Sequence, residues 1–177
     1  MNIKRLALWL LIFCGLLIYV LLFESTDAPQ PVTVMPAETY ERVFPFETTD
    51  INSVLVSNGE KTVRLAQSDE EMRVIEPSGT RASTDLINSL LDAITEAVII
   101  DELEPNEDQT LYGLNPPAFT LQVYADGETK PRILLLGANA PSMVNLYASL
   151  PQQNRIVLLG TYLRFTLQTF LDNVRVE

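Results

Sequence analysis

The chain has 177 residues and a formal charge of −11, from 12 Lys and Arg against 23 Asp and Glu, with no His, one Cys and 47% hydrophobic residues. A net acidic protein repels phosphate backbones, which disfavours nucleic-acid binding. Without His, and with its one Cys inside an apolar run, the chain lacks the usual zinc ligands, the Ser-His and Cys-His pairs and the commonest general base.

Residues 6–23, LALWLLIFCGLLIYVLLF, form 18 uncharged positions, which as a helix rise roughly 27 Å and nearly match a bilayer's hydrocarbon core. Lys4 and Arg5 precede the run and Glu24 and Asp27 follow it. The bias in basic residues predicts a cytoplasmic N-terminus, residues 1–5, and an extracytoplasmic remainder. Trp9 and Tyr19 fall near the two ends, where amphipathic rings favour the headgroup level, and Gly15 lies within the anchor. A cleaved signal peptide is the competing reading. Its apolar region is usually only about 7 to 15 residues, and the nearest small-x-small site, Thr26-Asp27-Ala28, is followed by Pro29. Length and flanks favour an uncleaved anchor. Cys14, preceded by Phe13, reads as a lipid-facing or packed thiol, and with no second Cys the outer domain has no internal disulfide.

Residues 24–40 carry Pro29, Pro31 and Pro36 and read as a semi-rigid, extended spacer. Setting aside Lys4 and Arg5 leaves ten basic and 23 acidic residues outside, a net of −13. Residues 41–177 are one domain's worth of chain. Residues 51–57 and 61–66 are β-branched and apolar runs flanking Asn58-Gly59, a hairpin signal. A two-residue loop would set Val54 opposite Val63, a bulged loop Leu55 opposite Val63, and the pattern leaves both open. Residues 72–76 read as a third strand ended by Pro77-Ser78-Gly79. Ser83 or Thr84 then caps a helix whose Leu86, Ile87, Leu90, Leu91, Ile94, Ala97 and Val98 share a broad apolar face. Residues 98–100 continue as a strand, and residues 101–110 form an acidic loop.

The second half predicts strands at 118–125 and 132–136 around Asp126-Gly127, with Pro131 confining the second to an edge or a strand terminus. A hairpin of 146–150 and 155–159 follows, then a helix at 161–172 with Leu163, Leu167, Phe170, Leu171 and Val174 on one face. Both halves run strand, turn, strand, strand, helix. The expected fold is α+β: an antiparallel sheet with two packed helices behind a single N-terminal transmembrane helix, the halves forming two strand-strand-strand-helix repeats.

Asp101, Glu102, Glu104, Glu107 and Asp108 crowd five carboxylates into eight positions. Leu103 and Pro105 break calcium-hand spacing, so the run reads as a solvated loop. Lys61 and Lys130 adjoin hairpin turns, where they stay protonated and are poor bases. No glycine-rich phosphate loop is present, so no nucleotide or other cofactor is implied. On the last helix Phe165 points about 200° from Leu163 at 100° per residue. With Tyr162 beside it, this aromatic on the polar face is a candidate partner anchor, unless a loop covers it.

The stretch Tyr112-Gly113-Leu114-Asn115-Pro116-Pro117, followed by the strand 119–124 and by Leu134-Leu135-Leu136-Gly137, resembles bacterial membrane-anchored proteins carrying the domain of unknown function 4340. Val43-Phe44-Pro45-Phe46, Pro77 and Tyr147-Ala148 extend the likeness over most of residues 43–172. The resemblance implies an α+β extracytoplasmic domain behind one anchor, often encoded near ABC-type export systems related to those of gliding motility, and it implies no reaction. Gly113 and the two prolines also define a rigid corner that would aim Tyr112 and Leu114 at the core. The expected function is a non-catalytic, membrane-tethered accessory or assembly subunit in the cell membrane, engaging other membrane or envelope proteins through its acidic domain. The alternative is an extracytoplasmic module presenting a small molecule, glycan or calcium to a transporter.

Overall fold

The computed structural model describes residues 10, 13–19, 40–68, 71–104 and 108–176. The chain divides into two units, 1–39 and 40–177. In the first, residues 13–19 are helical and exposed, and Gly15 and Tyr19 belong to this stretch. Lys4, Arg5, Trp9 and residues 24–39 of the expected spacer lie outside the described residues. Among the described residues no helix is long and apolar enough to cross a membrane.

The second unit is α+β, as its alternating and 3.6-period patterns predict. In chain order it comprises β1 (Ile51–Ser57), β2 (Thr62–Ser68), β3 (Glu71–Glu76), β4 (Thr80–Arg81), α1 (Thr84–Thr95), β5 (Ile99–Leu103), β6 (Phe119–Ala125), β7 (Arg132–Asn139), β8 (Asn145–Leu150), β9 (Arg155–Gly160), α2 (Tyr162–Asn173) and β10 (Arg175–Val176). Eight strands form one antiparallel sheet in the order β3-β2-β1-β6-β7-β8-β9-β5, and β10 pairs with β4 in a separate ribbon. Outward from the central β1–β6 pair the order runs β2-β3 on one side and β7-β8 on the other.

Both helices pack on one face of the sheet and touch each other. Val54, Val56, Leu65, Leu121, Leu134 and Leu146 from the strands meet Leu90 and Ile94 of α1 and Leu167 and Phe170 of α2, all without solvent exposure. The Ser83 hydroxyl accepts from the Leu86 N–H (3.3 Å) and caps α1, with Asp85 in the first turn. Phe44 is fully buried and Val43 nearly so. The segment carrying them pairs beside β5: the Val43 N–H donates to the Ala97 carbonyl (2.9 Å) and the Ile99 N–H to the Glu41 carbonyl (2.8 Å).

Three expectations need correction. The first hairpin has a four-residue loop, with Val56 opposite Val63 and Ser57 opposite Thr62. Asn58 explains this: its side-chain oxygen accepts from the N–H groups of Glu60 (3.1 Å) and Lys61 (2.8 Å), closing a wider turn while Val54, Val56, Val63 and Leu65 stay on the core face. Asp101, Glu102 and Leu103, read as part of a loop, belong to β5, because β9 offers them a ladder and Arg155 opposes the charge. The halves also differ: three strands of the large sheet precede α1 from β1, whereas four precede α2 from β6, and β5 crosses to the edge beyond β9.

Arg155, at the start of β9, forks two carboxylates at once. Its Nη1 and Nη2 donate to Glu41 (2.8 and 2.9 Å), and its Nε and Nη2 donate to Glu102 (3.0 and 2.8 Å). These hydrogen bonds raise the pKa of Arg155 further, so it stays charged, while its hydrogen bonds hold Glu41 below the usual carboxylate range. A depressed carboxylate contributes stability above its unfolded pKa and loses it as pH falls through the folded one. Arg155→Gln should therefore cost at most about 1 kcal/mol at pH 7, since the Glu41 side chain is largely exposed. Urea unfolding should show the gap from the parent protein closing once acid protonates Glu41. A gap as wide at pH 3 as at pH 7 would contradict this account.

Candidate functional site

β5 lies at one edge of the sheet and β6 in the middle, so the connection between them must cross β9, β8 and β7. It does so on the face opposite the helices. Tyr147 alternates with the core residues Leu146 and Ala148, so its ring stands on that reverse face. There it meets the Tyr112 ring with centroids 4.9 Å apart and planes tilted by 55°. Residues Gln109–Tyr112 form a short 3-10 turn capped by Asp108, which accepts from the N–H and hydroxyl of Thr110.

Gly113 closes the turn at φ 65°, its N–H on the Thr110 carbonyl (3.0 Å). A Cβ there would sit 2.8 Å from the backbone nitrogen of Ala138, so conformation and space both demand glycine. Leu114 is only 2% exposed yet stands outside the main core. It lies over Gly137, where an added Cβ would strike the Tyr112 carbonyl oxygen and come within 3.1 Å of the leucine side chain. Pro117 bridges back to Leu114, the Asn115–Pro116 peptide is cis, and the Ala118 N–H donates to the Leu136 carbonyl (2.8 Å) as the chain joins β6. The sequence reading aimed Tyr112 and Leu114 at the core. They pack instead on the reverse side of the sheet, because three strands separate β5 from the strand to be reached. Ser149 and Ile156, paired neighbours on that side, are buried with them.

At the end of the sheet where β7, β8 and β9 meet α2, four large apolar side chains stay open: Phe165 (69% exposed), Met143 (66%), Val144 (65%) and Tyr162 (60%). Tyr162 and Phe165, three apart on α2, are neighbours on the helix surface. Met143 and Phe165 line one shallow groove with Asn139, Arg164 and Gln168. The loop bearing Met143 and Val144 is held in place. Met143 takes φ 62°, its N–H donates to the Ala140 carbonyl (2.8 Å), and the Thr161 N–H donates to the Val144 carbonyl (3.3 Å). Arg164 adds hydrogen bonds from Nη1 to Asn139 Oδ1 (2.9 Å) and to the Gly137 carbonyl (3.4 Å). Gly137 thus joins the crossing segment to the patch.

Sequence reasoning singled out Phe165 and Tyr162 but not Met143 or Val144, which are brought to them by the β7–β8 turn. A signal was present: no Asp or Glu occurs from residue 129 to residue 171, in a chain that is otherwise strongly acidic. Elsewhere, Asp101 and Glu102 lie on β5 and Glu107 falls outside the described residues. Among the described residues no three metal-ligating side chains converge. Lys61 donates to the Leu171 carbonyl (3.3 Å) at the end of α2, and Lys130 is exposed.

Fold and surface together define an α+β domain on one antiparallel sheet, with a strapped reverse face and an open apolar patch at one end. The chain matches no protein-family model, no curated protein and no solved structure.

Gly137→Ala should destabilise the protein by about 1–3 kcal/mol, the range for forcing an extra methyl into a packed site. Hydrogen exchange should locate the loosening in residues 108–118. Unchanged protection there would refute the close approach of strap and strand.

Proposed function

We propose that the protein is a non-catalytic, single-pass subunit of the cell membrane whose extracytoplasmic domain docks other membrane or envelope proteins through the Phe165 patch. The observation that carries this reading is the patch itself. Four large apolar side chains, each at least 60% exposed, cluster on hydrogen-bonded backbone within a stretch free of carboxylates. Interface centres combine these properties, aromatic and Met side chains with few charges. The clamp of Arg155 on Glu41 sits at the start of β9 and the patch begins just past its end, about 17 Å further at the usual rise per residue.

The hydrophobic run 6–23 with Lys4 and Arg5 before it supports a membrane anchor with a cytoplasmic N-terminus. Likeness to the family carrying the domain of unknown function 4340 gains a physical rationale from the crossing segment. Its Tyr112, Gly113 and Leu114 meet Tyr147, Ala138 and Gly137, residues in or beside the other segments that carry the resemblance.

Two measurements test the proposal. Phe165→Asp should leave stability within about 0.5 kcal/mol of the parent, as for an open surface site. It should also weaken the detergent-extracted complex at least about 30-fold, as loss of an interface anchor does. An intact complex, or a variant that fails to fold, would sink the assignment of Phe165. Protease added outside intact spheroplasts should degrade the domain, and protection would overturn the topology.

A further inference from the structure

The groove beside Phe165 has one wall on α2 and the other on the turn between β7 and β8. Thr161, Arg164, Phe165 and Gln168 recur at the spacing of a single helix face, and with Asn139 and Met143 they line a hollow of about 500 Å³. Arg164 is half-buried there. Its Nη1 donates to Asn139 Oδ1 (2.9 Å) and to the Gly137 carbonyl (3.4 Å), both neutral acceptors, and its Nε and Nη2 make no hydrogen bond among the described residues. By contrast Arg42, Arg73, Arg132 and Arg155 each hold a carboxylate within 3.4 Å. In a chain with 23 acidic residues against 12 basic ones, Arg164 holds none, because residues 129–171 supply no carboxylate. The first turn of α2 also contains no acidic residue and Thr161 gives it no side-chain cap, so the charge of Arg164 adds to the positive end of the helix dipole with no anion to offset either.

A guanidinium carries its N–H donors in a planar fork, and the edge formed by Nε and Nη2 matches the two oxygens of a carboxylate. With Nη1 held by Asn139 and Gly137, that edge is fixed before a partner arrives, which lowers the ordering cost of binding. Resting on the reading of the Phe165 patch as a protein-docking surface, we propose that the docking segment of the partner carries a large apolar side chain and, beside it, an Asp or Glu. The apolar side chain seats between Met143 and Phe165, and the carboxylate takes the Nε–Nη2 edge of Arg164. Charge complementarity selects this occupant: the groove offers a cation and no anion, and its apolar walls reduce the screening of an ion pair formed there. A small carboxylate ligand fits less well. Met143 and Phe165 are 66% and 69% exposed, and so shallow a groove does not enclose most of a small molecule's surface.

The test presents a random phage-displayed peptide library, cleared on empty discs, to the full-length protein in phosphatidylcholine nanodiscs. Selected clones should place an Asp or Glu next to a large apolar residue. Selection on Arg164→Glu should replace that acid by Lys or Arg, a gain that misfolding cannot produce. For the tightest clone, replacing its acid by the amide and Arg164→Gln in the protein should each weaken binding at least about tenfold, and the two together no further. Phe165→Asp should abolish binding. Clones that require Phe165 yet show no acidic bias would overturn the inference and leave the patch standing as a docking surface. No clones, or clones indifferent to Phe165, would overturn both. A dimer in sedimentation that Arg164→Glu abolishes would also overturn the inference, making a second copy the occupant.

Discussion

A sheet covered by helices on one face alone leaves apolar strand residues on the other, and the architecture of this domain follows from how that second face is handled. With β5 at the far edge and β6 at the centre, the chain has to travel back across three strands. It uses the passage to cover them. The contact that permits this is the approach of Leu114 and the Tyr112 carbonyl to Gly137. A side chain at that position would strike the Tyr112 carbonyl and crowd Leu114. Burial on the reverse face therefore depends on an absent methyl group as much as on the residues that fill the space.

Charge is distributed as unevenly as packing. The first half and the β5 region carry most carboxylates, and Arg155 gathers two of them where the chain joins the domain, through Glu41 and Glu102. From residue 129 to residue 171 there is none. The open apolar side chains of the β7–β8 turn and α2 lie within this second region, so desolvating them on contact strands no carboxylate. Arg164, a cation in the groove wall, is already engaged by Asn139 and the Gly137 carbonyl.

Much of the secondary structure was legible because it follows local periodicity. The faces of α1 and α2, the Ser83 cap and the strands around Asp126-Gly127 all lie close to where spacing puts them. The misreadings share a cause. Asn58 widened a hairpin through side-chain hydrogen bonds that the Asn-Gly signal does not encode, and Asp101 and Glu102 joined a strand only because β9 and Arg155 lay beside them. Phe165 was found from its angle on the helix, while Met143 and Val144 were missed because a turn, not a period, carries them there.

By itself the sequence determined the α+β class, the antiparallel strands, the two amphipathic helices, the acidic balance and the conformation required at Gly113, since each depends on neighbours a few residues apart. Tertiary structure alone decided the order of the strands, the face on which residues 108–118 travel, the partnership of Gly137 with Leu114 and the gathering of Met143 and Val144 beside Phe165. Those outcomes join residues tens of positions apart, and their energies come from surfaces that exist only after the sheet has formed.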